Sequence, residues 1–236
     1  IILEIGPGKG ALTKKLLATG CQMIAVEKDR ELFEFLKTKL EKEITEKKLI
    51  LLNEDILQFE ITNYELRKYK IIENIPYNIT GAILKKFLTA KNQPTLMVLM
   101  VQHEVAKRII AQPRHDGAGT KESILSISVK AYGEPKMIMK VPARYFSPAP
   151  KVDSAIIAIN NISRENFAPT PGKVGAPTQV GEEKFWKIVK AGFAHKRKKL
   201  SGNLKNVIPS QKLSLGGWED KRAEDLSFAD WILLAK

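Results

Sequence analysis

The sequence predicts an α/β layer fold, an open and mainly parallel sheet of seven strands covered by helices and followed by a small all-helical domain. Three observations carry this prediction. Short β-rich runs alternate with amphipathic stretches from residue 1 to about residue 160. The first of those runs leads through a glycine-rich turn directly into a helical pattern. A Pro/Gly-rich stretch then separates this region from a tail whose apolar residues recur at helical spacing.

Taken in order, aliphatic and β-branched runs place strands at Ile1–Ile5, Gln22–Glu27, Leu49–Asn53, Lys70–Glu73, Leu96–Val101, Lys136–Val141 and Val152–Asn160. Ala11–Thr19 reads as a helix closed by Gly20. Leu32, Leu36, Leu40 and Ile44 recur every fourth residue and draw one apolar stripe down the next helix. Thr80 is placed to cap a helix whose inner face is Ile83, Leu84, Phe87 and Leu88, and a later helix is expected over Lys121–Tyr132. Three prolines and three glycines between Ala168 and Gly181 mark a linker. Beyond it, Phe185, Trp186, Ile188, Val189 and Phe193 share one helical face, and Phe228, Trp231, Ile232 and Leu234 share another. The expected division is therefore a sheet domain over 1–165, a linker over 166–181 and a helical domain over 182–236.

Composition narrows the class. The 236 residues are 44% hydrophobic and 28% charged, ordinary values for a globular chain with one large domain and an appendage. No apolar run reaches spanning length, and Glu4 interrupts the apolar opening, so no leader, membrane helix or membrane partner is expected, and the cytoplasm is the expected location. Cys21 is the single cysteine and sits between Gly20 and a strand, so buried core is expected of it rather than nucleophilic chemistry. The three histidines are scattered, and no metal site is expected. A net charge of +13 draws polyanions, of which nucleic acid carries the densest array of charge. No pattern calls for an obligate dimer, and a monomer is expected.

The glycine-rich turn is Gly6-Pro7-Gly8-Lys9-Gly10. It lets backbone approach a small ligand closely and aims helix N–H groups at it. Its third glycine comes one residue too soon for the dinucleotide fingerprint. Glu27, at the end of the second strand about twenty residues on, is placed to accept both hydroxyls of a ribose. Asp55, after the third strand, is placed to accept from an adenine amino group. Singly, Glu27 could equally form a surface ion pair with Lys28 or Arg30, and Asp55 could be a turn residue. Together, three successive strand ends describe an adenosine-shaped pocket. The shortened loop suits the amino-acid end of S-adenosylmethionine better than a pyrophosphate.

After the fourth strand comes Asn74-Ile75-Pro76-Tyr77, which resembles the signature of amino-methyltransferases that act on exocyclic amines of nucleobases. The N6 lone pair of adenine is delocalised into the ring, so the amine needs well-placed acceptors on its hydrogens before it attacks. Asn74 and the Ile75 carbonyl fit that role. Pro76 stiffens the turn, and Tyr77 offers a ring for a flipped-out base. Positioning supplies most of the acceleration, so no strong general base is required.

Several stretches extend the resemblance: Leu3-Glu4-Ile5-Gly6-Pro7-Gly8, Val26-Glu27-Lys28-Asp29, Asn74 to Thr80, Gln102 with Glu104-Val105-Ala106 and Arg108, and Phe146-Ser147-Pro148-Ala149-Pro150-Lys151-Val152-Asp153-Ser154-Ala155. With them the chain resembles the small-subunit ribosomal RNA adenine dimethyltransferases, a family that includes the bacterial kasugamycin-sensitivity methyltransferase. The resemblance continues in Phe193-Ala194-His195-Lys196-Arg197-Lys198-Lys199-Leu200, which looks like a helix of that family. It implies a Rossmann-like methyltransferase domain, S-adenosylmethionine as cofactor, and an assembling small-subunit ribosomal RNA as partner. The implied reaction is N6,N6-dimethylation of two adjacent adenosines near the 3′ end of that RNA. The family's cofactor-contacting positions fall on Gly6, Glu27, Asp55 and Asn74, and Gly8 of the glycine turn is expected to bind the cofactor with them. Glu73 stands where the family carries a small or apolar residue. Lys196, Arg197, Lys198 and Lys199, read as one helix, would fan their charges toward phosphates of the RNA. Two other readings share parts of this pattern: a large-subunit adenine methyltransferase of the macrolide-resistance type, and an RNA-binding ribosome-assembly factor that does not catalyse.

Overall fold

The computed structural model describes residues 1–61, 68–74, 77–113, 119–167 and 181–236. Strands β1 (Ile2–Ile5), β2 (Met23–Glu27), β3 (Leu49–Asn53), β4 (Lys70–Glu73), β5 (Leu96–Gln102), β6 (Glu134–Val141) and β7 (Ser154–Asn160) form one seven-stranded sheet. Their order is β3-β2-β1-β4-β5-β7-β6. The first five are parallel, and β7 runs antiparallel between β5 and β6. Each strand falls where the sequence predicts one. Parallel strands covered on both faces read as continuous apolar runs, and β2, Met-Ile-Ala-Val-Glu, is buried at every position.

From β1 the chain winds outward through β2 to β3, then returns to the other side of β1 as β4. The reversal leaves a crevice at the carboxyl ends of β1 and β4, the place where open α/β sheets bind ligands.

The helices are α1 (Ala11–Leu17), α2 (Arg30–Lys39), α3 (Glu41–Thr45), α4 (Thr80–Leu88), α5 (His103–Ile109), α6 (Ile124–Lys130), α7 (Glu182–Gly192), α8 (Leu200–Asn203), α9 (Ser210–Leu215) and α10 (Phe228–Ala235). The stripe from Leu32 to Ile44 belongs to two helices rather than one. Leu40 leaves helical geometry at φ −119°, ψ 24°, yet its side chain stays fully buried, clustered with Leu36, Met23, Ala25 and Leu49. Burial at fourfold spacing therefore persists across the break and hides it in the sequence. Thr80 is the first residue of α4 and not its cap; its Oγ1 is buried without a hydrogen-bond partner among the described residues. Cys21 is half-buried rather than core, packed against that cluster, with its thiol donating to the Leu16 carbonyl at 3.2 Å.

The chain divides into two compact units, and the division differs from the expected one. Unit 1 is Ile1–Ala106 with Glu134–Ile162; unit 2 is Lys107–Gly133 with Ser163–Lys236. Residues 168–180 of the expected linker lie outside the described residues. Segment 107–133, which the sequence pattern leaves with the sheet, joins the tail through polar contacts that no periodicity announces. The Tyr132 hydroxyl donates to Glu182 on α7 and accepts from Trp186 Nε1 at 3.1 Å, and Glu182 also pairs with Arg164. The Glu122 N–H donates to the Glu224 carbonyl at 2.8 Å, Lys121 pairs with Glu224, and the Asn166 amide donates to the Ala131 carbonyl. Burial, together with the Glu182 carboxylate, pushes the Tyr132 phenol up to about 12, so it stays a donor.

Within unit 2, α7 and α10 pack through aromatic rings, Phe185 against Phe228 at 6.0 Å and Phe193 against Trp231 at 5.5 Å between centroids. Gly192 is buried beneath the indole, where an added Cβ would stand 2.4 Å from Trp231 Cη2. Gly192→Ala is expected to destabilise the protein by about 1–3 kcal/mol, the usual consequence of overpacking, seen as a lower thermal midpoint. An unchanged midpoint would show that Trp231 gives way freely.

Candidate functional site

The turn after β1 is built on left-handed backbone: φ is 61° at Gly6, 57° at Gly8 and 75° at Gly10, a region that side chains rarely tolerate. At Gly10 space is also lacking, since a Cβ would meet Leu36 Cδ2 at 2.7 Å. The Gly6 N–H donates to the Val26 carbonyl at 3.0 Å and the Gly10 N–H to the Pro7 carbonyl at 2.9 Å, which folds the turn back over the end of β2.

Glu27 is buried, only 6% exposed, and braces this turn. Its Oε2 accepts from the Gly8 N–H at 3.0 Å, and its Oε1 accepts from the Asp29 N–H at 2.9 Å. Asp29 in turn caps α2 by accepting from the Leu32 N–H at 3.0 Å. The Asn53 amide, at the end of β3, donates to the Glu27 carbonyl at 2.9 Å. Each Glu27 oxygen keeps a second lone pair for an incoming hydroxyl.

Asp55 is partly exposed and already engaged. Its Oδ1 accepts from the Leu57 N–H at 2.9 Å, and its Oδ2 pairs with Lys28 Nζ at 2.8 Å. The Lys28 ammonium, helped by that N–H, holds its carboxyl below the usual carboxylate range. An ion pair this exposed contributes little stability and opens readily to a competing donor. So Lys28, weighed as a partner for Glu27, is the partner of Asp55 instead.

These residues surround a cavity of about 530 Å³. Its lining includes Ile5, Gly6, Glu27 and Asp55, together with Asp29, Glu54, Asn78 and Ile79, to which the sequence reading assigns no role in a site. Each of these four is a near neighbour of a residue to which it does, so the strand-end logic locates the place without resolving its walls. Four of the lining side chains are carboxylates and one is Lys28, an acidic pocket in a basic chain. Gly8 does not line it and serves through its N–H to Glu27. Asn74 follows β4 and is exposed. Because Ile5 and Glu73 are register partners, Asn74 stands one residue past the pair on β4 as Gly6 does on β1. Asn74 is not part of the cavity lining. Ile75, Pro76 and the Tyr77 side chain lie outside the described residues, and a 3-10 turn over Tyr77–Ile79 leads into α4.

Two further acids lie buried beside these strand ends. Glu4 is pushed up to about 7, chiefly by burial and further by the charge of Glu27, with Thr13 opposing. Glu73, directly before Asn74, is pushed up to about 8 by burial alone, and neither of its oxygens has a hydrogen-bond partner among the described residues.

The basic tract is placed differently from expectation. Lys196, Arg197, Lys198 and Lys199 are all exposed, but they occupy turns between α7 and α8 and not a helix. The Asn203 amide donates to the carbonyls of Gly192 at 2.6 Å and His195 at 3.1 Å, which closes α7 and holds the following segment in its turns. Lys199 pairs with Asp220 at 2.6 Å. His115 lies outside the described residues. Among the described residues no group of His, Cys, Asp or Glu is arranged to hold a metal ion, and no helix is long and apolar enough to cross a membrane.

A protein-family model described as Ribosomal RNA adenine dimethylase matches residues 1–236. Among curated proteins, Ribosomal RNA small subunit methyltransferase A of Nostoc punctiforme is 38% identical over 250 residues, 99% of this chain and 81% of that protein. The protein of the same name from Fusobacterium nucleatum is 33% identical over 100% of this chain and 85% of its own length. A crystal structure of a dimethyladenosine transferase from Plasmodium falciparum superimposes with a TM-score of 0.75 at 23% identity, covering 99% of this chain and 87% of that one. The 23S rRNA methyltransferase ErmE gives 0.72 at 24% identity, covering 99% and 88%. Both structures share the fold.

Glu73 yields a prediction in the pH dependence of stability. Below its ordinary value of 4.5 the acid is protonated whether the chain is folded or not. Between 4.5 and about 8 the unfolded chain loses a proton that the folded chain keeps, so stability falls with pH across that window and levels off above it. Glu73→Gln, close in shape to the neutral acid, is expected to melt like the native protein near about pH 5 and at higher temperature near about pH 8, a gain on the order of a few kcal/mol. The same difference at both pH values would show that Glu73 is ionised in the folded protein.

Proposed function

The chain belongs to the ribosomal RNA adenine dimethylase family, and on that premise we propose that it transfers methyl groups from S-adenosylmethionine to N6 of two adjacent adenosines near the 3′ end of small-subunit ribosomal RNA, giving N6,N6-dimethyladenosine. In this reading it acts as a monomer in the cytoplasm on an assembling small-subunit particle. The names of its curated relatives favour the small subunit over the large one.

The observation that carries the reading is the acidic cavity at the switch point of the sheet. Four carboxylates around about 530 Å³ disfavour a pyrophosphate and favour a ligand with hydroxyl donors and positive charge. S-Adenosylmethionine has a ribose, an ammonium group and a sulfonium whose methyl is electrophilic. Glu27 is the acceptor for the ribose hydroxyls, already fixed by two backbone donors, so it needs no reorganisation when the ligand arrives. Asp55 accepts from the adenine amine once it exchanges Lys28 for it. Gly6 and Gly8 give the ligand's amino-acid end close access to backbone.

Asn74 stands beside that loop and supplies an acceptor for a hydrogen of the target N6. The neighbouring Ile75 carbonyl supplies a second, Pro76 fixes the turn, and Tyr77 stacks on the flipped base. Drawing on both N–H bonds would restore lone-pair density to nitrogen for an in-line attack on the methyl carbon, with the methyl–sulfur bond breaking to leave S-adenosylhomocysteine and the proton passing to solvent as nitrogen gains positive charge. Lys196, Arg197, Lys198 and Lys199 contact RNA phosphates, which from exposed turns needs no shared helical face.

The direct test combines labelled S-adenosylmethionine with unmethylated small ribosomal subunits, followed by digestion and a search for N6,N6-dimethyladenosine. Product near the 3′ end of the RNA is expected, with its rate reduced about 100-fold or more in Asn74→Ala. Glu27→Gln places an amide where two N–H donors converge and is expected to weaken cofactor binding at least about tenfold by calorimetry. Tight binding to the subunit without any product would replace this reading with that of a non-catalytic assembly factor.

A further inference from the structure

Unit 2 contains a cavity of its own, of about 430 Å³, that shares no lining residue with the acidic pocket. Its walls combine two chemistries. The apolar part is Ile124, Leu125, Phe193 and Ala223, and Ile124 is 45% exposed. Phe193 is half-buried and stacked at 28° on the fully buried Trp231, which leaves the ring rigidly backed. The polar part includes three cations, Arg108, Lys121 and Lys196.

The two acids in the lining are already engaged. Glu122 forms a buried ion pair with Lys130, and Glu224 pairs with Lys121. Arg108 and Lys196 are exposed and have no acidic partner among the described residues. The cavity therefore combines an aromatic ring backed by Trp231 with two cations that have no acidic partner among the described residues. That combination matches a nucleotide: an unstacked base lies on an aromatic ring, and its phosphate is held by Arg and Lys. The size is within the range of small-ligand pockets.

We propose that this cavity is a second nucleotide site, in which a base of the RNA other than the methylated one stacks on Phe193 while its phosphate is held by Arg108 and Lys196. The proposal rests on the reading that the chain acts on RNA. It assigns the basic tract a defined point of attachment at Lys196, where sequence alone offers four equivalent cations. It also gives Arg108 a role in binding substrate, outside the cofactor pocket.

The test uses two probes with the full chain: a fluorescein-labelled single-stranded oligoadenylate about eight nucleotides long, and an abasic oligomer with the same number of phosphates. The native protein is expected to bind the first about tenfold more tightly than the second. The double substitution Arg108→Gln, Lys196→Gln should weaken both probes. It should also make the salt dependence of binding shallower by about 0.7 in log–log slope, the change for the one phosphate that the protein no longer neutralises on a single strand. Phe193→Leu should abolish the preference for bases, and Phe193→Tyr should keep it. Phe193 packs on Trp231, so Ile124→Glu, at an exposed position, serves as a variant that leaves that stack alone; it should also weaken the oligoadenylate. Cofactor affinity by calorimetry should be unchanged throughout. Native affinity in the double variant, or an undiminished base preference in both Phe193→Leu and Ile124→Glu, would overturn the site. Methyl transfer by the native chain to ribosomal subunits is read separately, so loss of this site and loss of the proposed reaction are distinguishable.

Discussion

A single buried carboxylate organises the carboxyl edge of the sheet. Glu27 sits at the tip of β2 with one oxygen on the Gly8 N–H and the other on the Asp29 N–H. It thereby ties the glycine turn to the start of α2. Hydrogen bonds from neutral donors to an ionised acceptor are stronger than those between neutral groups, and burial leaves them little competition from water. The left-handed residues of the turn, the docking of Gly10 against Leu36 and the capping of α2 by Asp29 all meet at this point. The open crevice beside it follows from strand order, because the chain reverses direction across the sheet between β3 and β4.

The molecule separates charge by task. A chain of net charge +13 concentrates four carboxylates around one cavity, where a cationic, hydroxyl-rich cofactor is favoured and phosphate is repelled. Among the described residues, Arg108, Lys196, Arg197 and Lys198 are exposed cations without an acidic partner, and none of them lines that cavity. A reaction that brings a sulfonium cofactor to a polyanionic RNA needs both fields, and each would repel the other's ligand. The acidic pocket carries a cost. Glu4 and Glu73 are buried next to it, and burial shifts both toward their neutral forms.

In unit 2, polar contacts reach between segments distant in sequence. Tyr132, Glu182, Arg164 and Trp186 form one network, and Lys121 and Glu122 meet the Glu224 region in another. These contacts, added to the α7 and α10 aromatic cluster, explain why residues 107–133 belong with the tail. They also assemble the cavity of unit 2 from four separate stretches of chain, around Arg108, around Ile124, around Phe193 and Lys196, and around Ala223.

The sequence alone determined the sheet, since strand burial and the glycine turn are local consequences of side-chain type and backbone freedom. It also located Glu27 and Asp55 at strand ends, because alternation of strand and helix forces successive strand ends to one edge. Features that depend on which segments meet in space were decided by tertiary structure. The break at Leu40 is invisible because the core buries both sides of it at the same spacing. The turns at Lys196–Lys199 arise from Asn203 reaching back to the carbonyls of Gly192 and His195, a contact with no periodic signature. The engagement of Asp55 by Lys28, and the allegiance of residues 107–133, likewise rest on partners distant in the chain. Local pattern records what a residue can do within its own turn or strand; hydrogen bonds and ion pairs between distant segments depend on geometry that exists only after the core has formed.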